Sequence, residues 1–325
     1  MDGTTWGIFA IIIIYLLGMV AVGLYYMKKN SSTGDYYLGG RKLGPIVTAM
    51  SAEASDMSSW LLMGLPGVAY LTGVADAAWT AIGLAIGTYL NWLIVAKRLR
   101  RYTVVAGNSI TIPEFFSNRY RDKSRILVAV SAIFIVIFFI PYTASGFAAC
   151  GKLFSTLFGV SYVPAMIVSA IVIVAYTALG GFSAASTTDL IQSIVMSFAL
   201  ICVVLFGVKT AGGTDVILSQ AGELPGYLSM TQTYMNGEAT EYGAIKIASM
   251  LAWGLGYFGM PHILLRFMAI EDEKKIKISR RIATVWVVIS MSVAIFIGIV
   301  GNNLSRNGAL QVLEGSDSEK LIITL

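Results

Sequence analysis

Long apolar runs, separated by short clusters of basic residues, dominate the chain. A spanning helix needs about 20 mostly apolar residues. Eight stretches meet that description: Trp6–Met27, Pro45–Thr72, Asp76–Ala96, Ile126–Cys150, Tyr162–Gly180, Asp189–Val208, Ile247–Leu264 and Ile282–Val300. Their length, and the lack of a polar-in, apolar-out alternation, predict helices rather than barrel strands. The pattern is that of an all-α, polytopic membrane protein.

Composition agrees. Of 325 residues, 56% are hydrophobic and only 13% charged, and the mean hydropathy is +0.75. A soluble domain is about 25% charged, so lipid must be part of this chain's solvent. The net charge of +5 raises nucleic acid as a partner, but the placement of the basic residues argues for none. The loops after the first, third and seventh runs hold 18 of the 23 Lys and Arg residues. By the positive-inside rule these loops are cytoplasmic and the N-terminus lies outside. The first run has no basic n-region and no cleavage pattern, and reads as a retained span rather than a signal peptide. Cys150 and Cys202 sit in apolar runs and read as small buried hydrophobes. With His262 the only histidine, a His-based metal centre is not expected.

The second run carries chemistry a lipid-facing helix would not. It reads Ser51-Ala52-Glu53-Ala54-Ser55-Asp56-Met57-Ser58-Ser59-Trp60. A central Asp costs about 2.5–3.5 kcal/mol on insertion scales, so these groups must face a polar interior. Ser and Asp also compete for backbone hydrogen bonds and favour local unwinding. A break here frees carbonyls for a cation and a half-helix N-terminus for an anionic group. The alternative is a polar seam gluing neighbouring helices. A second break is predicted in the seventh run at Trp253-Gly254-Leu255-Gly256-Tyr257-Phe258-Gly259-Met260-Pro261-His262, where glycines and a proline weaken the helix. The alternative is that those glycines only permit close packing. Paired breaks at the first helix of each five-helix set point to a transporter site.

Other signals are weaker. Tyr142, after Pro141, is a candidate to close over a substrate or a core residue. Asp189 is either a second ion or coupling site or a helix N-terminal carboxylate favoured by the dipole. His262, after a proline, reads as a packing residue. A helix starting near Pro113 is expected to lie on the membrane surface, a charged connector being the alternative. The polar, Gly-rich loop 209–243 reads as a flexible cap. No Walker-type phosphate loop and no nucleophile–base constellation is legible, so no enzyme is expected.

At Ser51 through Gly67, Tyr37-Leu38-Gly39-Gly40-Arg41, Tyr176 through Ala184 and Trp253 through Phe267, the chain resembles the sodium/solute symporter family, and its proline branch most of all. The resemblance runs from end to end. It implies a LeuT-like inverted-repeat fold with one extra N-terminal helix, and sodium-coupled uptake of L-proline across the cytoplasmic membrane by alternating access, with Na+ as the coupling ion and no other cofactor. It implies that the Ala54 and Met57 carbonyls coordinate Na+ and that Asp56 beside them governs ion affinity. Ser58, Trp60, Tyr142, Trp253, Tyr257 and Pro261 would line the proline pocket, with Ser55 supporting and Asp189 as a relay. Family members have about thirteen helices. Residues 1–325, read as one transmembrane transporter domain, would therefore carry an incomplete second repeat and lack the Ser/Thr helix that completes the sodium shell. Other expectations stay open: a symporter of another small solute such as pantothenate or a sugar, a sensory module, or a truncated, non-transporting membrane protein.

Overall fold

The computed structural model describes Gly3–Leu325. α1 (Gly3–Met27) is followed by α2 (Thr33–Leu38), whose N-cap Ser32 accepts the Asp35 N–H. α3 (Pro45–Met57) and α4 (Gly64–Thr72) are the halves of a broken helix. α5 (Val74–Asn91) passes through a π-helical segment, Trp92–Ala96, into α6 (Lys97–Val105). α7 (Ile112–Tyr120), α8 (Ile126–Phe158), α9 (Tyr162–Thr210) and α10 (Thr214–Gly222) precede a hairpin of β1 (Gln232–Met235) and β2 (Glu238–Glu241). Then come α11 (Ala244–Leu251), α12 (Trp253–Gly256), α13 (Pro261–Ala269), α14 (Ile276–Arg306) and α15 (Leu321–Thr324).

By length and composition, five of the described helices can cross a membrane, or six if the pair Ala244–Gly259 and Pro261–Ala269, bent by 48°, is one span. Seven of the eight expected spans fall within this set, two of them in one long helix. α9 has 49 residues, about 73 Å at 1.5 Å per residue, more than twice the roughly 30 Å hydrocarbon core. It is interrupted at Gly181 (φ 62°, ψ −156°), a conformation essentially closed to other residues. The two halves match the runs 162–180 and 189–208. The eighth is 45–72, which is no single helix. The chain is thus an all-α multi-pass membrane protein with one small hairpin.

Contacts group the chain into two compact units. The first comprises residues up to Asp56, Trp92–Gln192 and Met260–Ile282. Here α1 crosses α9 where Gly23 and Gly180 meet: a Cβ on Gly180 would lie 2.8 Å from the Gly23 carbonyl. The carbonyls loosened by the Gly181 break are taken up by Asn30 Nδ2, donating to Gly180 O at 3.0 Å, and Tyr36 Oη, donating to Ala178 O at 2.8 Å. Arg41 lies in the left-handed turn that follows Gly39 and Gly40. Its guanidinium donates to Asn108 Oδ1, Thr103 Oγ1, Met268 O and Ser109 O. Burial lowers the Arg41 pKa to about 10, with Arg100 adding to the shift. The start of α3 is tied to the end of α13, with Leu43 N–H donating to Ala269 O and Glu271 N–H to Leu43 O. α7 opens as expected at Pro113: Thr111 accepts the Glu114 N–H, and the Glu114 carboxylate accepts the Ile110 N–H at 2.8 Å.

The second unit comprises Met57–Asn91, Ser193–Gly259 and Ala283–Leu325. α5 packs against α11 and α12 through glycines: a Cβ on Gly83 would lie 2.6 Å from Leu251 O, and one on Gly87 would overlap Gly254 O. The loop 209–243, expected to be a flexible cap, is folded. It contains α10 and the hairpin, which turns at Asn236-Gly237 with positive φ at both. Its Tyr227 is wholly buried and donates to the Ala69 carbonyl at 2.7 Å. Polarity misled here because the few apolar members of the loop, Ile217, Ala221, Tyr227 and Tyr242, are buried and hold it in place.

Candidate functional site

The break in α3 falls at Ser58, which adopts φ 48°. Its Oγ accepts the Ser59 N–H at 2.6 Å, so that amide is drawn away from the helical carbonyl of Ser55. Tyr142 Oη donates to that carbonyl at 2.8 Å instead. The Met57 carbonyl accepts the Leu61 N–H at 3.2 Å and keeps a second lone pair for a cation. Unwinding is thus built by the serines themselves, as the sequence suggested.

In the first unit the predicted residues Ala54, Ser55, Asp56, Tyr142, Pro261 and Asp189 share surroundings with residues that sequence reasoning set aside. Ala54 is 7% exposed. Asp56 Oδ1 lies 3.7 Å from His262 Nε2, and both side chains are largely buried. The His262 ring stacks on Tyr142 at 5.6 Å and meets Phe139 edge-on at 5.5 Å. His262 packs, as read from the sequence, but against the one acid of the break. Pro261 opens α13.

Asp189 corrects one of its two readings. It does not begin a helix; it lies within α9, eight residues past Gly181, so no helix terminus holds it. Its Oδ2 accepts from Ser51 Oγ at 2.7 Å and from Arg266 Nη2 at 2.7 Å. Arg266 also donates from Nε to Ser51 Oγ at 2.8 Å and from Nη1 to His262 O at 2.7 Å, and its guanidinium covers Phe182. By sequence Arg266 belongs to the basic loop after the seventh run, yet it is 5% exposed. Only its position four residues after His262, on the continuation of an apolar helix, could have signalled that. Glu53, an acid without an evident role in the sequence, is fully buried and accepts the Trp92 indole N–H at 3.1 Å, while Trp92 packs on Phe267 at 4.4 Å.

The second unit holds Met57, Ser58, Trp60, Trp253 and Tyr257. The rings of Trp60 and Trp253 lie 5.6 Å apart, tilted by 30°. Trp253 is 52% exposed, whereas Tyr257 and Met57 are buried. Asn91, which nothing in the sequence singled out, donates from Nδ2 to Tyr257 O at 2.8 Å.

Two broken helices bearing acids, hydroxyls and aromatic rings, in a multi-pass helical protein, are features of secondary transporters, which bind solute and ion where helices unwind. The comparisons identify which kind. The sodium:solute symporter family matches residues 36–325, and the chain belongs to that family. It is 41% identical over 313 residues to the sodium/proline symporter of Salmonella typhimurium, covering 96% of this chain and 61% of that protein. It is 40% identical to the sodium/proline symporter of Staphylococcus aureus, covering 91% and 56%. The chain thus spans about 60% of the length of the curated relatives it matches. Its fold is shared with a Na+-coupled sialic acid symporter solved in a substrate-bound outward-open state, with a TM-score of 0.78, 18% identity, and coverage of 97% of this chain and 64% of that one.

Proposed function

We propose that this chain forms the N-terminal portion of a transporter that takes up L-proline together with Na+ by alternating access. The observation that carries the reading is identity of about 40% to sodium/proline symporters, sustained across more than nine-tenths of the chain and including the broken helix at Ser58. In this reading the carbonyls of Ala54 and Met57 coordinate Na+, and Asp56 sets the field at the ion. Ser58, Trp60, Tyr142, Trp253, Tyr257 and Pro261 line the proline site, with Ser55 in support. Asp189 is the internal relay. Na+ orders the unwound helix and raises proline affinity, and proline raises Na+ affinity by the same factor. Residues 1–325 act as one transporter domain in the cytoplasmic membrane, with the basic loops inside, the N-terminus outside and α7 on the membrane surface; no catalysis, further cofactor or nucleic acid enters.

The test is uptake of labelled proline into proteoliposomes. An inward Na+ gradient should drive accumulation, and excess unlabelled proline, but not a sugar or pantothenate, should suppress it. Equal uptake with Na+ and with choline on both sides would refute the reading.

A further inference from the structure

Span seven has a difficulty at its break. In a continuous helix the Tyr257 carbonyl would accept from the residue four positions on, which is Pro261, and proline has no N–H to give. Asn91 Nδ2 donates to that carbonyl at 2.8 Å, with Asn91 wholly buried. The bond also fixes the amide's orientation, since a flipped amide would set oxygen against oxygen. The Asn91 Oδ1 therefore faces away from the Tyr257 carbonyl, still inside the protein, and has no hydrogen-bond partner among the described residues. Thr88 Oγ1, one helical turn earlier on α5, is likewise fully buried and has no partner among the described residues.

Two orphaned oxygens on one helix turn are a built feature, since buried polar groups are nearly always satisfied. Positions three apart on a helix have Cβ atoms about 5–6 Å apart. One small hydroxylic molecule fits between groups at that spacing, accepting from or donating to each. The adjacent glycine seam, where Gly87 meets Gly254 and Gly83 meets Leu251, holds α5 close enough to α12 for the reach. A buried water needs two to four polar partners, and Thr88 Oγ1 and Asn91 Oδ1 supply two.

We propose that Thr88 and Asn91 form a buried hydration site that positions the 3-10 turn Tyr257–Gly259 at the break. Asn91 acts on the solute only through Tyr257 and is a positioning residue. The consequence for transport rests on the proposed proline site; the structural claim does not.

The experiment is hydrogen–deuterium exchange of the purified chain in detergent, followed peptide by peptide. Asn91→Ala should speed exchange across residues 253–260 at least tenfold and leave α14 unchanged. Thr88→Val keeps shape and volume but removes the hydroxyl, and should speed exchange in the same segment. Unchanged exchange at 253–260 in Asn91→Ala would overturn the proposal. So would a Thr88→Val protein with slower or unchanged exchange there, because that is the behaviour of a hydroxyl that is merely unsatisfied. In proteoliposomes, Asn91→Ala should raise the KM for proline at least tenfold with the maximal rate within twofold. A wild-type protein without Na+-driven uptake would sink the proline reading and leave the exchange result standing.

Discussion

Asp189→Asn should destabilise the protein by about 3–5 kcal/mol, because it removes the counter-charge of a guanidinium held almost wholly out of water. The Arg266 and Asp189 side chains are 6% and 17% exposed, with Nη2 and Oδ2 2.7 Å apart. Ser51 Oγ and the His262 carbonyl accept two further hydrogen bonds from Arg266. The reverse change, Arg266→Met, leaves a buried carboxylate answered by the Ser51 hydroxyl and should cost a similar amount. The double variant buries no charge; it loses hydrogen bonds but also the desolvation penalty, and should cost only about 1–3 kcal/mol. The two single costs therefore sum to roughly 6 kcal/mol or more, and the cycle should show a coupling of at least about 3 kcal/mol. The assay is denaturant unfolding in mixed micelles, followed by tryptophan fluorescence, for all four proteins. If the double variant's cost equals the sum of the single costs to within about 0.5 kcal/mol, the two residues do not act as a pair and the reasoning fails.

Two further predictions concern backbone and turn. Gly181→Ala forces a side chain into φ 62°, ψ −156°, and its Cβ would sit 2.6 Å from the Tyr36 carbonyl; a loss of about 3 kcal/mol or more is expected. The same substitution at Gly146, a helical position with nothing within 4 Å of the new Cβ, should gain about 0.5–1 kcal/mol, and equal unfolding midpoints for the two variants would contradict this. Arg41→Lys replaces a planar fork with an ammonium that reaches at most three of four acceptors, and should cost about 1–3 kcal/mol by the same unfolding assay.

The order and length of the spans, the basic loops and the two breaks are all written in local pattern, and local pattern is what a sequence shows directly. The serines beside Asp56 unwind their own helix through bonds to their immediate neighbours, and Pro261 withholds an N–H from the carbonyl four residues before it. The family motifs sit on these same segments. The partners could not be read in this way. Nothing in the run around Asp189 announces Arg266, nothing around Asp56 announces His262, and the Tyr142 bond to Ser55 O joins residues 87 apart in the chain. Nor does composition distinguish a loop that floats from one nailed down by Tyr227. Hydrophobic periodicity reports which face of a helix avoids water or lipid; it carries no information on which other helix meets that face. Pairing is set by close packing between distant segments and by the need of each buried polar group for a partner, and both are properties of the folded chain alone.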